Sequence, residues 1–468
     1  MARRTLELPL AADRDGPDAL TSQIAGQLRD ALADGRLATG ERLPSTRTLA
    51  GLLGVSRTVV TAAYAQLFAE GWVDGRHGSG TFVADGAPGH PAARGRPEPA
   101  LPLWGARDGL PELDGDSIID LRPGIPWTEG IERAAWRRAW RSAGTGVTGD
   151  LPDPRGRADL RTALTGYLRR SRGVHCSADQ VVVTRGVAGS LGLLASLLRP
   201  GDRVGVEEPG YPSARAVFAA HGLQVVPCPV DSGGLQVDAL PNGLRLVYAT
   251  PAHQYPLGAR LSVPRRRALT AWARDTGALI VEDDYDGEFR YDVAPLPALF
   301  GMDPEVVVYL GTTTKILTPA MRVGWLAASP GLAARLAEAA SSLGDWPSGP
   351  AQGALLSMIT TGALERHIRR MRHDYARRRA TMTAAFRGGD AGRLLGDEAG
   401  MHMILETRQP AAEVAAAAAE RGVAVATLER YFAGPVTRNG LVLGYGGAAL
   451  PDVVRGCEVL AQILAGSG

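Results

Sequence analysis

Lys315 is the single lysine among 468 residues, and arginine supplies every other one of the 51 basic side chains. Asparagine is nearly as scarce, with Asn242 and Asn439 alone, a bias that fits GC-rich coding. A guanidinium stays protonated and suits surface charge and phosphate pairing, whereas a lysine amine can shed its proton and attack a carbonyl to form a Schiff base. Lys315 closes the run Val306-Val-Val-Tyr-Leu-Gly-Thr-Thr-Thr-Lys315, with Thr312 and Thr314 beside it and Arg322 further on. Thr184-Arg-Gly186-Val187-Ala188 follows another apolar run, Tyr211 follows Glu208-Pro-Gly, and Asp283, Asp284 and Tyr285 follow a third. Together these side chains suit pyridoxal phosphate (PLP). The lysine forms the Schiff base, a carboxylate keeps the pyridine nitrogen protonated, and a phenol bonds the ring hydroxyl. Hydroxyls, an arginine and a helix N-terminus take the phosphate.

The elements that must position these groups are legible as short β-branched runs alternating with helical patterns. Expected strands span 180–184, 203–207, 244–248, 278–282 and 306–310. Such alternation predicts an α/β fold with a mainly parallel sheet, in which ligands gather beyond the carboxyl ends of the strands. The candidate residues stand at those ends.

The first 85 residues read differently. Leu20, Ile24, Leu28, Ala31 and Leu32 recur at helical spacing, and the pattern stops near Gly35. Ser45 is placed to cap a helix with the apolar face Leu49, Leu52 and Leu53, ending at Gly54. Ser56 caps a second helix from Arg57 to Glu70, whose inner face is Val59 or Val60 with Ala63, Tyr64 and Leu67. Two helices around a glycine turn form a helix-turn-helix, and residues 71–83 alternate about a glycine-rich tip as a two-stranded wing. Ser56, Arg57, Thr58 and Thr61 at the second helix start, Arg47 on the preceding helix, and Arg76, His77 and Gly78 at the wing tip are the candidate contacts to double-stranded DNA.

Prolines at 88, 91, 97, 99, 102 and 111 mark residues 86–115 as a semi-extended linker, with Trp104 as a candidate anchor. Thirty residues of polyproline-like chain reach roughly 90 Å. Net charge is +2 and hydrophobic content 45%, so the chain is globular and any basic footprint is local. Three scattered cysteines without Cys or His ligand spacing speak against a disulfide scaffold or a zinc finger, and no metal site is expected. The apolar run in MARRTLELPLAADRDG is too short for a signal peptide, and no apolar stretch is long enough to span a membrane. The expected location is the cytoplasm.

The run LPSTRTLAGLLGVSRTVVTAAYAQLFAEGWV resembles the winged-helix domains of the GntR family over residues 15 to 84. From residue 118 to about 460 the chain resembles fold-type I aminotransferases, through PDPRGRADLRTALTGYLRRSRGV, LLRPGDRVGVEEPGY, TPAHQYPLG, VEDDYDGEFRY, GTTTKILTPAMRVGW and AGMHMILE. The whole resembles the MocR family, in which the second domain is fused behind the first. The implied organisation is a winged helix over 1–85, the linker over 86–115, and a PLP-binding effector and dimerisation domain over 116–468. That domain has a large α/β part and a smaller C-terminal α+β part.

The resemblance implies Lys315 as the Schiff-base lysine, Asp283 (with Asp284 as its neighbour and rival) facing the pyridine nitrogen, Tyr211 stacked on the ring and Tyr285 bonding the ring hydroxyl. Gly186, Val187 and Ala188 through their backbone, with Thr312, Thr314 and Arg322, would hold the phosphate. It also implies DNA contacts from Arg47, Ser56, Arg57, Thr58, Thr61 and His77, and a homodimer on an operator with two half-sites.

Two departures from the enzymes bear on function. Where they carry an NPTG-like turn, Tyr255 stands at the asparagine position. Where they carry an arginine that grips the substrate carboxylate, this chain has Val442. Losing such a clamp costs about 1.5–3 kcal/mol of binding, and Arg430 or Arg438 are the nearby substitutes. The expected protein is a PLP-dependent transcriptional regulator sensing PLP, an amino acid or an amine. The alternatives are a working aminotransferase with a DNA-binding appendage and a scaffold that binds no cofactor.

Overall fold

The computed structural model describes residues 9–76, 80–85, 118–145, 151–293, 296–387 and 392–466. The chain divides into two compact units between Leu103 and Trp104. The proline-rich segment 86–115, with Trp104, lies outside the described residues.

In the first unit, helices α1 (Leu20–Ala33), α2 (Thr46–Leu53) and α3 (Arg57–Ala69) precede strands β1 (Val73–Arg76) and β2 (Gly80–Val83), which pair antiparallel. The Ser45 hydroxyl accepts from Thr48 N–H at 3.1 Å and that of Ser56 from Val59 N–H at 3.4 Å. Each cap satisfies a donor that the helix start leaves without a partner. Gly54 makes the turn with φ 63°, the left-handed conformation that costs glycine least. Ile24, Leu28, Leu49, Val60, Ala63, Tyr64 and Leu67 form the core. One expected core residue does not belong to it. Leu52 is 66% exposed, because Leu49, Ala50 and Leu53 define the buried face and Leu52 lies roughly 110° from its centre at 3.6 residues per turn. Of the two valines left open, Val60 is the one fully buried.

The second unit is built on an eight-stranded sheet. After β3 (Ile119–Asp120) come β4 (Val181–Thr184), β5 (Arg203–Glu208), β6 (Gln224–Asp231), β7 (Gly234–Leu235), β8 (Leu244–Ala249), β9 (Leu279–Asp283), β10 (Val307–Thr312) and β11 (Gly324–Ala327). The spatial order is β4-β11-β10-β9-β8-β5-β6-β7. Strands β10, β9, β8, β5 and β6 run parallel, while β11 lies antiparallel between β4 and β10. The five expected strands are present with ends shifted by at most two residues, and β11 is a strand beyond those expected.

Alternate residues face two separate cores, as the period of two requires. Val247, Ile280, Val307 and Tyr309 enter one, and Leu246, Tyr248, Val281, Val308 and Leu310 the other. Burial on both faces explains why these strands read as continuous apolar runs.

A smaller antiparallel sheet follows, ordered β12 (Arg393–Leu395), β13 (His402–Glu406), β16 (Gly440–Gly444) and β15 (Ala426–Thr427). Between them in the chain, β14 (Val423–Ala424) pairs with β3, so the first strand of this unit is stitched to its C-terminal part. Among the described residues no helix is long and apolar enough to cross a membrane.

Candidate functional site

The carboxyl ends of the parallel strands converge on one pocket. Its lining contains all eleven residues expected to hold the cofactor: Lys315, Asp283, Tyr285, Tyr211, Gly186, Val187, Ala188, Tyr255, Thr312, Thr314 and Arg322. Lys315 sits on a single helical turn, Thr313–Ile316, directly after β10, and Asp283 ends β9. The Lys315 ammonium donates to the carbonyl of Gly124 at 2.7 Å. Burial pushes this amine below the usual lysine range, against the opposing pull of the Asp286 and Asp283 carboxylates. The result favours the neutral, nucleophilic form.

Strand alternation decides between the paired aspartates. Asp283 shares a face with Val281 and Tyr248, and its Oδ2 accepts from the Tyr248 hydroxyl at 2.5 Å. Its Oδ1 is buried without a hydrogen-bond partner. Burial raises this carboxyl to about 7, the Tyr248 bond opposing the rise. Asp284 turns to the other face. There it binds Arg172 through two N–H groups, one at 2.6 Å, and accepts from the Tyr309 hydroxyl at 2.7 Å. Asp284 is thus consumed by structure, and the orphaned oxygen of Asp283 is the one available to a ligand.

At the other end of the pocket, Gly186 (φ 86°) precedes helix Val187–Ser196, whose first turn presents free backbone N–H groups. Thr312 caps the lysine turn, its hydroxyl oxygen accepting from Thr314 N–H at 3.1 Å. Arg322 is the one non-glycine residue with positive φ among those described, at 52°. Holding an arginine there costs about 1–2 kcal/mol, a strain that elsewhere marks functional positions. The close approach of β11 requires Gly324, where a Cβ would lie 2.7 Å from Gly186 Cα.

Sequence reasoning missed four residues. Tyr248, Arg185 and Pro319 line the pocket, and Gly124 receives the lysine. Tyr248 carried a readable signal, a phenol at the last position of an expected strand. Gly124 carried none, because only tertiary folding brings it to a residue 191 positions away.

Tyr255 packs edge-on against Tyr211, Tyr285 and Tyr431, with ring centroids 5.8, 5.5 and 5.3 Å away. Behind it lies a small cluster containing Tyr431, Ile404, Ala426 and Val442. Val442 is fully buried on β16 and does not line the pocket. Of the two candidate substitutes for a carboxylate clamp, Arg438 lies 3.5 Å from Glu406 and lines a different cavity. Arg430 has its guanidinium 5.7 Å from the Tyr431 ring centroid.

In the first unit Arg47, Ser56, Arg57, Thr58 and Thr61 are all exposed. Arg57 donates to the Thr46 hydroxyl at 3.2 Å, which joins the starts of α2 and α3. The Thr61 hydroxyl donates to the Arg57 carbonyl at 2.9 Å, leaving it an acceptor toward solvent. Arg76 ends β1, and His77 and Gly78 lie outside the described residues.

A helix-turn-helix with a wing on one unit, and a lysine-bearing pocket at the strand ends of an aminotransferase-like sheet on the other, define a two-part class of protein. The family model for bacterial regulatory proteins of the gntR family matches residues 20–83, and that for aminotransferase class I and II matches residues 126–434. The chain is 36% identical over 442 residues to the HTH-type pyridoxine biosynthesis transcriptional regulator PdxR of Corynebacterium glutamicum, covering 94% of this chain and 95% of that one. It is also 36% identical to the probable rhizopine catabolism regulatory protein MocR of Rhizobium meliloti, with 94% and 92% covered. Among solved structures, the kynurenine aminotransferase of Pyrococcus horikoshii aligns with a TM-score of 0.67 at 26% identity, covering 75% of this chain and 91% of that one. The chain belongs to the MocR family: it is a helix-turn-helix transcriptional regulator with an aminotransferase-like domain.

Proposed function

We propose that PLP is the cofactor of this regulator and that Lys315 tethers it for sensing. The observation that carries this reading is the buried Asp283 Oδ1, a carboxylate oxygen without a protein partner in the pocket that Lys315 lines. A buried, unpaired carboxylate oxygen is costly unless a ligand completes it. A protonated pyridine nitrogen is such a ligand. The free N–H groups at Gly186–Ala188, with Thr312, Thr314 and Arg322, suit a dianionic phosphate.

When bound, PLP supplies an aldehyde carbon for an amine and an electron-withdrawing ring. Lys315, its proton loosened by burial, attacks that carbon. Asp283 holds a proton at the ring nitrogen, Tyr285 faces the ring hydroxyl, and Tyr211 covers the ring. The phosphate contacts fix orientation.

Ligand engagement then biases how the winged helices meet DNA, which requires different affinities in the two states. The regulator acts as a cytoplasmic homodimer on two half-sites. Val442, where enzymes clamp a carboxylate, favours PLP itself over an amino acid or amine as effector. The likeness to a pyridoxine biosynthesis regulator supports control of vitamin B6 synthesis. Turnover is at most vestigial. The completeness of the pocket favours a second reading, a working aminotransferase with a DNA-binding appendage, and rapid multiple turnover of an amino acid with a keto acid would establish it.

The test uses the full chain. With PLP it acquires a visible absorption band, and its affinity for DNA upstream of its own gene changes. Lys315→Ala abolishes both the band and the response. A wild type that takes up no PLP overturns the proposal.

A further inference from the structure

Behind the pocket lies a second buried group that the cofactor contacts leave unused. His253 follows β8, Asp286 follows β9 and His402 begins β13; all three are buried, with side-chain ligand atoms within 4.8 Å of one another. His253 Nδ1 lies 3.0 Å from Asp286 Oδ2 and 3.0 Å from the Tyr285 hydroxyl, which is also 3.0 Å from the His253 carbonyl. The imidazole is clamped. A Cβ at Gly400 would overlap His253 Cε1, and one at Gly258 would lie 3.2 Å from its Nε2. His402 packs against the ring at a centroid distance of 5.0 Å and donates from Nε2 to the Pro256 carbonyl at 2.9 Å.

From this geometry we infer that His253, oriented by Asp286, is the positioning residue for the Tyr285 hydroxyl. The inference rests on PLP occupying the pocket. Nδ1 carries one proton, and a carboxylate can only accept, so Nδ1–H is fixed toward Asp286 and the phenol oxygen beside it. That N–H and the His253 carbonyl give the phenol a defined place, from which its own proton can turn to the ring hydroxyl of PLP. A hydrogen bond there stabilises negative charge on the ring oxygen and so lowers the proton affinity of the neighbouring Schiff-base nitrogen. Losing the bond raises it. Six titratable groups surround the pair and are common to every variant below: Asp286, His402, Tyr255, Asp283, Glu207 and Lys315.

The experiment is a pH titration of the visible band in the PLP-loaded full chain. His253→Asn and Tyr285→Phe should each raise the midpoint by about one pH unit, a tenfold change in proton affinity. The double variant should move no further than Tyr285→Phe alone, because one residue acts through the other. An unchanged midpoint in His253→Asn, or additive shifts, overturns the inference. If His253→Asn fails to fold, Asp286→Asn takes its place, with a shift in the same direction expected and an unchanged midpoint equally fatal. A wild type without a visible band overturns the cofactor assignment itself, and with it this inference. A band whose midpoint ignores position 253 overturns the inference alone.

Discussion

Arg172 grips Asp284 from the opposite side of the sheet to the pocket, while Asp283, one residue earlier, faces Tyr248 and the lysine. Both members of the ion pair are about 1% exposed. Arg172 also donates to the Gly287 carbonyl at 3.0 Å, and Tyr309 completes the shell. A buried pair so fully bonded fixes β9 in the register that delivers Asp283 to the pocket.

Breaking that pair should therefore act through folding. Asp284→Asn leaves a buried guanidinium without its counter-charge and should cost about 3–5 kcal/mol. Urea denaturation is the check, with PLP uptake falling only as far as the folded fraction falls.

Asp283→Asn should do the reverse. The Asp283 carboxyl is raised to about 7 in the cofactor-free fold, from 3.8 ordinarily. Between those values the folded state holds a proton that the unfolded state has lost, so stability falls as pH rises through the window and stays low above it. The amide removes that cost. Cofactor-free Asp283→Asn should gain roughly 2 kcal/mol near pH 8 and nothing near pH 3, while losing PLP affinity. Melting curves across that range, with and without PLP, test both halves.

Gly124 combines φ 96° with close approach to the lysine: a Cβ on it would lie 2.9 Å from Lys315 Nζ. Gly124→Ala should cost about 1–2 kcal/mol from backbone strain alone. It should also displace the amine, so the visible band should form more slowly and titrate at higher PLP concentration. Normal uptake in a destabilised variant would place the lysine's partner elsewhere.

Val442→Arg should not restore a carboxylate clamp. Val442 is fully buried opposite Ile404 and Ala426 on an interior strand of the small sheet. A guanidinium there has no carboxylate to meet and should cost several kcal/mol. The expected readout is a large drop in melting temperature with no gain in amino-acid turnover.

On the DNA side, Arg57→Ala should weaken operator binding by about 1–3 kcal/mol if it reads a base. Footprinting and the salt dependence of affinity separate base reading from phosphate contact. Folding should hardly change, because the Ser56 cap remains. Ser56→Ala instead removes the cap and should cost about 1 kcal/mol of stability.

Much of the fold and the pocket was legible in the chain itself. The strands of the large sheet are buried on both faces, so they appear as unbroken apolar runs, and the residues just beyond them had to lie at one edge. The lone lysine, its threonines, Asp283 and Tyr211 all stood at such ends. Helix caps at Ser45 and Ser56 are local chemistry and read directly. Leu52 did not, because an eight-residue helix has too few turns for spacing alone to centre its buried face.

Tertiary structure decided what depends on partners remote in sequence. Asp283 and Asp284 are chemically identical neighbours; Arg172 and Tyr309 claim one, and the other is left with an unpaired oxygen. Gly124 meets Lys315 because β3 is stitched to β14 at the far end of the chain. His253, Asp286 and Tyr285 become one group only when β8 and β9 lie side by side. The sequence determined which side chains could do chemistry and which strand ends would carry them. Folding chose among equivalents, because burial and hydrogen bonding are properties of neighbours in space.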